Sequence, residues 1–428
     1  MLEDINFDTR DEFNRKPFAE HLINLIKSDN DLFPLAINGD WGTGKTEFCN
    51  KSVKLINRKY SDRLIAGYLN AFAEDPYDDP LASIISILYT TFITDEFRPE
   101  SIKTITKIIL ATSAQSAIET ISPTLANVTK NIPKIAQKLN KESIQSKFEH
   151  RANINNYLKE LTSLISRIAG NKQFILFIDE LDRCRPDFAL HVLEITKHVF
   201  DTPHLKIIFI LNKTQFIEAI KIRYSNNEDI ARKYLEKFFK FQIKIPEFVR
   251  NNVTNTSIFA SSKYFEILLS QTGVINNELF AGKNQAHTQS IVRLWDSLIE
   301  HHKISLRDVE KLIRYLQMYL TFYPVQPGVY LGTKLIISYA IFEYTLNLEI
   351  YQNYLLKKNA FITRGDLLTS IDKSTSTIPP RYTMFLLLFS DDFRQINHLY
   401  DGWGMHDLSK RRLELISIFK NLQDLVDS

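Results

Sequence analysis

The stretch LAINGDWGTGKTEFCN, residues 35 to 50, decides how the chain is read. The run FPLAING, residues 33 to 39, reads as a short buried strand closed by a tight turn. GDWGTGKT then fits G-x-x-x-x-G-K-[ST], with Gly39, Gly44, Lys45 and Thr46 at the fixed positions. Glycines let the backbone curl so that its amide hydrogens point inward around phosphate oxygens. Thr46 to Tyr60 reads as a helix, whose N-terminal dipole adds to the same site. On this pattern Lys45 reaches the β- and γ-phosphates of a nucleoside triphosphate, and Thr46 ligates Mg²⁺. The expected nucleotide contact is the whole loop: Gly39, Asp40, Trp41, Gly42, Thr43, Gly44, Lys45, Thr46 and Glu47. Trp41 occupies the variable part of the loop, either packed under it or shielding the phosphates.

A phosphate loop needs a carboxylate at the end of a second buried strand. KQFILFIDELDR, residues 172 to 183, supplies it. Asp179 is expected to hold Mg²⁺, directly or through water, and Glu180 to orient and deprotonate the attacking water. About 130 residues separate the two motifs. That leaves room for intervening strands and favours the nucleotidase class with an additional strand between the motif strands and a glutamate as base. A third buried strand, LKIIFILNK, ends at Asn212. Parallel strands bring their carboxyl ends to one edge, where ligands bind. Asn212 therefore reads either as a polar sensor of the γ-phosphate or as a helix-starting residue.

Composition sets the bounds. A chain of 428 residues is too long for one ordinary core and implies two or three units. Hydrophobic residues at 44% and charged residues at 24% mark a globular chain with ample core. A net charge of +3 argues neither for nor against nucleic acid or an anionic membrane. Cys49 and Cys184 lack metal-ligand spacing, so the expected setting is reduced and cytoplasmic. The acidic start MLEDINFDTRDEF does not read as a signal peptide. The most apolar stretch, YLGTKLIISYAIFEYTLNLEIY, is broken by Lys334, Glu343 and Glu349 and reads as a buried helix, not a membrane span.

The order along the chain is α/β first and helices second. RLIAGYLNAF, residues 63 to 72, is a further strand, followed by the acidic turn AEDPYDDP and a helix at 81 to 93. Residues 101 to 150 are rich in Ser, Thr, Ala and Lys and read as part of a helical insertion. The expected division is a nucleotidase core over 1–250 with that insertion at about 95–160, a helical lid-like region over 251–360, and a C-terminal helical region over 361–428.

FIDELDRC (177 to 184), FILNKTQFIEAI (209 to 220), YLEKFFKFQIKIP (234 to 246) and YLNAFAEDPYDDP (68 to 80), with the glycine-rich loop, resemble the KAP family of P-loop NTPases over about residues 10 to 320. The resemblance implies a three-layer α/β P-loop core and makes Asp179 and Glu180 the Walker B pair. Many members carry membrane helices between the two motifs, where this chain has its polar 101–150 region, which implies a soluble member. The usual member has Asp where this chain has Asn212. Several members are similar to bacterial proteins that exclude phage, which implies a defence setting.

Cations must meet the phosphate charge that develops during hydrolysis. Arg183 reads either as a catalytic or subunit-interface group or as the partner of Asp179 or Asp182. Lys237 follows Lys233 by four residues on an expected helix face, which either meets another protomer or is solvated. SLRDVEKLIRYL resembles the family's helical lid, where Arg307 would reach back to the nucleotide; Ser305 or Asp308 would start that helix. Otherwise Arg307 pairs locally with Asp308 or Glu310. The expected function is Mg²⁺-dependent ATP hydrolysis that drives conformational change or assembly, in a homo-oligomer or a heteromeric defence complex. Nucleic acid would be reached through a partner. The alternatives are a nucleotide-gated scaffold with little turnover and a DNA-stimulated motor.

Overall fold

The structure, a computed structural model, describes residues 5–28, 31–92, 147–198, 200, 202–224, 226–250, 257–281, 285–329, 331–348 and 408–427. The chain divides into two compact units, Met1–Pro246 and Glu247–Ser428. Most of the expected insertion at 95–160 and much of 361–428 lie outside the described residues.

The first unit is built on five parallel strands: β1 (Leu35–Asn38), β2 (Leu64–Asn70), β3 (Gln173–Asp179), β4 (Leu205–Leu211) and β5 (Phe241–Lys244). Their order across the sheet is β2-β3-β4-β1-β5. β3 and β4 are central, and their sequences are apolar at nearly every position because both faces are covered. Phe174, Leu176 and Ile178 join one core, whereas Ile175 and Phe177 join the other. This is the period-two alternation of a strand buried on two sides.

One face carries α1 (Lys16–Lys27) and α2 (Lys45–Lys59). Ala19, Leu22, Ile23 and Ile26 form the buried stripe of α1 at helical spacing. Upstream, Asp11 accepts from the amides of Arg15 and Lys16 at 2.8 and 2.9 Å, which satisfies donors that the helix itself leaves open. The short α3 (Ala71–Glu74) directly continues β2. The other face carries α4 (Pro80–Phe92), α5 (Lys147–Ala169), α6 (Pro186–His198), α7 (Lys213–Lys221) and α8 (Glu228–Leu235). Leu161, Ile165 and Ala169 of α5 are part of that core, so the helix that leaves the expected insertion is a structural layer. The result is the three-layer α/β P-loop core with its additional strand.

The additional strand expected between the two motif strands is present. β2, which lies between the two motifs in sequence, pairs on the far side of β3. The strand that separates β1 from β3 in space is β4, which follows both motifs.

The second unit opens with an antiparallel pair, β6 (Phe248–Arg250) and β7 (Ser257–Phe259), which the expectation of helices alone did not include. Five helices follow among the described residues: α9 (Ala260–Gln271), α10 (Gln285–His301), α11 (Leu306–Phe322), α12 (Leu331–Leu346) and α13 (Leu408–Asp427). Trp295 stacks on Phe265 at 4.9 Å and meets Phe342 edge-on at 5.8 Å, which knits α9, α10 and α12 together. α12 is buried nearly all round, as its uniform apolarity predicts. Its two charges are matched: Lys334 donates to the carbonyls of Glu278 and Ala281, and Glu343 accepts from the Tyr339 hydroxyl at 2.7 Å. No helix among the described residues is long and apolar enough to cross a membrane.

Candidate nucleotide site

The site forms where β1, β2, β3 and β4 end. Register sets it: Asn70 lies opposite Asp179, Asp179 opposite Ile210, and Asn38 opposite Leu211. The loop Gly39 to Gly44 then leaves β1 and enters α2. Gly42 and Gly44 have φ of 73° and 78°, a left-handed conformation that glycine adopts at no steric cost. Gly39 is required for space. A Cβ there would lie 2.6 Å from Cγ2 of Ile245 and 3.0 Å from Oγ1 of Thr43. The loop is closed by Thr43, whose amide and hydroxyl donate to the Asp40 carbonyl at 3.3 and 2.8 Å.

Lys45 is buried, and its ammonium donates to the carbonyls of Gly39 and Asp40 at 2.7 and 2.9 Å. Burial lowers its pKa, opposed by Asp182, Asp179 and Asp40. A desolvated ammonium inside a curled loop is suited to meet phosphate charge. The Thr46 side chain lies beside the carboxylate of Asp179 and favours its charged form. Asp179 is almost fully buried. It accepts from the Glu180 amide at 2.8 Å and from the Tyr68 hydroxyl at 3.2 Å. Desolvation nevertheless raises its pKa, a penalty that a cation would offset. Thr46 and Asp179 thus present a compact oxygen donor set, which fits a hard cation such as Mg²⁺. Glu47, one residue on, is turned to Lys51 at 2.6 Å.

Glu180 has φ of 59°, in the left-handed region where a non-glycine residue is strained. The turn holds it there: the Arg183 amide donates to the Glu180 carbonyl at 3.1 Å. Its carboxylate has a partner on each oxygen. Asn70 donates to Oε2 at 3.1 Å, and Arg183 ion-pairs with Oε1 at 2.9 Å. Arg183 therefore pairs with Glu180, and neither Asp179 nor Asp182, the local partners weighed from the sequence, holds it. Asp182 instead accepts from the Trp41 indole at 2.8 Å. Trp41 thereby ties the phosphate loop to the acidic turn while its ring stays 47% exposed.

Asn212 takes the helix-starting role that the sequence offered. Its Oδ1 accepts from the Gln215 amide at 3.2 Å and caps α7, and its Nδ2 faces Oδ1 of Asp40 at 3.4 Å. Lys237 is not on a helix face with Lys233. α8 ends at Leu235, and Lys237 sits in the turn beyond, its ammonium 5.4 Å from the Tyr234 ring centroid. Arg307 belongs to the second unit. It is exposed near the start of α11, where Ser305 is the cap and Asp308 is taken up by Ser305. Glu310 bonds Tyr264 and Arg314, so neither local partner expected for Arg307 holds it.

Sequence reasoning left Asn70 without a role and did not single out Tyr68. Both lie on β2 two residues apart, so they share a face, but only the register with β3 shows that this face meets the acidic pair. Arg185 secures the same junction. It bonds Asp75 through its backbone amide at 3.0 Å and its Nε at 2.9 Å, and reaches Asp78 at 2.9 Å.

A curled glycine loop on a strand end, a buried lysine, a Thr–Asp pair and a glutamate on the neighbouring turn together define a P-loop nucleoside triphosphatase. Residues 15–320 match the KAP family P-loop domain. The match covers well over half the chain, and the chain belongs to that family of P-loop NTPases. No curated protein matches it. One solved structure that does is described as "Structure of Drosophila ORC bound to DNA", with 13% identity, 90% of this chain and 86% of that chain covered, and a TM-score of 0.35. A likeness that distant carries no argument about ligand or assembly.

Proposed function

We propose that the chain hydrolyses ATP to ADP and phosphate with Mg²⁺, and that Glu180 is the general base. The observation that supports this reading is the placement of Glu180 beside the Thr46–Asp179 pair, with Asn70 bonded to its Oε2. The amides of the Gly39–Gly44 loop and the Lys45 ammonium bind the phosphates. Thr46 and Asp179 hold the cation, which supplies charge neutralisation for the phosphate oxygens. Glu180 orients water and takes its proton. Asn212, at the end of β4 and 3.4 Å from Oδ1 of Asp40, is the polar sensor of the γ-phosphate. Arg307, exposed and without an ion pair among the described residues, is the cation we assign to the transition state, in its own chain or a neighbouring one.

A scaffold that binds nucleotide with little turnover has no use for a carboxylate held in this way. The family's use of ATP supports the choice of nucleotide. The output, a change of conformation or assembly within an anti-phage complex, rests on the family resemblance alone. The test is phosphate release by the full chain with Mg²⁺ and ATP, compared with GTP. Mg²⁺-dependent release from ATP supports the reading; nucleotide binding with no release would favour the scaffold. Partners that co-purify with Glu180→Gln in the presence of ATP would identify the output.

A further inference from the structure

We infer that Tyr68 is a positioning residue for the cation, its hydroxyl holding the Asp179 carboxylate in the orientation that takes up Mg²⁺. The inference rests on the reading of Thr46 and Asp179 as the residues that hold that ion. A carboxylate turns easily about its last side-chain bond, so its donors decide where its oxygens point. Asp179 is 1% exposed and has a donor on each oxygen. The Glu180 amide meets Oδ1 at 2.8 Å, and the Tyr68 hydroxyl meets Oδ2 at 3.2 Å. The amide belongs to the next residue and moves with Asp179 itself. The hydroxyl comes from the neighbouring strand, where Tyr68 lies opposite Phe177, two residues before the Asn70–Asp179 pair. Tyr68 thus ties the carboxylate to a frame outside its own turn.

That frame is packed. The Tyr68 ring lies against the core on the α1 and α2 side, which includes Phe48, Cys49 and Phe177. Packing of the ring sets where the hydroxyl can reach. Burial, then the charge of Asp179, pushes the phenol's pKa up, so the group stays a neutral donor. Neutrality matters here. A hydroxyl takes up one lone pair of Oδ2 and leaves another for an ion. A cationic side chain in its place would neutralise the carboxylate and oppose a second cation. Tyr68 therefore acts through Asp179, on the ion and not on the reacting water.

Removing a partner that orients a metal-holding side chain costs about 10–100-fold in ion affinity. The Glu180 amide remains in Tyr68→Phe, so the lower end, about ten-fold, is expected. The test uses the full chain and a fluorescent triphosphate analogue, with Kd measured in EDTA and across a Mg²⁺ titration. In Tyr68→Phe the Mg²⁺ concentration that gives half of the tightening should rise about ten-fold. Its Kd in EDTA should match that of the parent, which also shows that the site is folded. An unchanged Mg²⁺ midpoint overturns the inference. So does a loss of affinity in EDTA as large as in Mg²⁺, because that is lost packing alone. Asp179→Asn separates the two levels. If it removes the Mg²⁺ dependence while Tyr68→Phe leaves the midpoint in place, the cation reading stands and the role of Tyr68 falls. If Asp179→Asn keeps the parent's Mg²⁺ midpoint, both fall.

Discussion

Asn70 at the end of β2 donates its amide to Oε2 of Glu180 at 3.1 Å, and the same side chain caps α3 through its Oδ1. Two substitutions separate these jobs. Asn70→Asp keeps an acceptor for the cap but removes the donor and sets a second carboxylate against the first. Asn70→Ala loses both. We expect kcat to fall about ten-fold in Asn70→Ala and further in Asn70→Asp, with stability ordered the other way, since losing a cap costs about 1 kcal/mol. Steady-state kinetics and thermal melts of the two variants check this. Equal kcat values would detach Asn70 from the base.

Gly39 is packed against Ile245 of the segment after β5. Gly39→Ala should weaken nucleotide binding at least ten-fold and destabilise the chain by about 1–3 kcal/mol, because the methyl it meets is on the β-branched side chain of the buried Ile245, which has little room to swing aside. Gly39→Ala combined with Ile245→Ala removes the 2.6 Å clash and should recover part of the binding. Calorimetric titration with nucleotide measures both.

The Trp41–Asp182 hydrogen bond joins the two motifs directly. Trp41→Phe keeps the ring and leaves the buried Asp182 carboxylate without that donor, a loss of about 1–3 kcal/mol at such a site. We expect a two- to ten-fold weaker nucleotide Kd with kcat nearly unchanged, since the bond pre-organises the loop and does not touch the reacting water. A fall in kcat with Kd unchanged would contradict this.

How much of this was legible in the sequence follows from the range of the signal. GDWGTGKT and FIDELDR declare themselves because backbone conformation and strand burial are written locally, in glycines and in an unbroken apolar run. β5 was not read as a strand, since FQIK is an edge strand with mostly exposed side chains and lacks that run. α1 carries a regular stripe, but over only twelve residues between polar flanks, which is a weak local signal. The partners of Glu180 were out of reach for a different reason. Asn70 and Arg183 are ordinary polar residues until parallel register brings one strand end beside another. The additional strand between the motif strands was expected, but not that β4 would fill the place, because parallel sheets order their strands by crossover and not by sequence.

In the second unit, Asp296 on α10 has a buried Oδ1 with no hydrogen-bond partner among the described residues. Desolvation, then Glu266 of α9 and Glu300 of α10, push its pKa up to about 7, while Lys263 of α9 opposes them. A carboxyl whose folded pKa lies above its unfolded value favours the fold at low pH and works against it as pH rises through the folded pKa. Asp296→Asn removes that penalty. It should raise the thermal midpoint at pH 8 by an amount equivalent to about 1–3 kcal/mol, with a smaller gain at pH 5.5 and none near pH 4. A gain independent of pH would show that the group does not titrate in this window.

The central claim is that Glu180 takes the proton from water at a nucleotide site built by Gly39 to Thr46. Single-turnover phosphate release by Glu180→Gln, with nucleotide affinity measured on the same preparation, tests it most directly. General-base catalysis contributes about 10²–10⁴-fold. Release should be slowed by at least about a hundred-fold, with ATP still bound as tightly as by the parent chain. Release within a few-fold of the parent rate, at unchanged affinity, would contradict it.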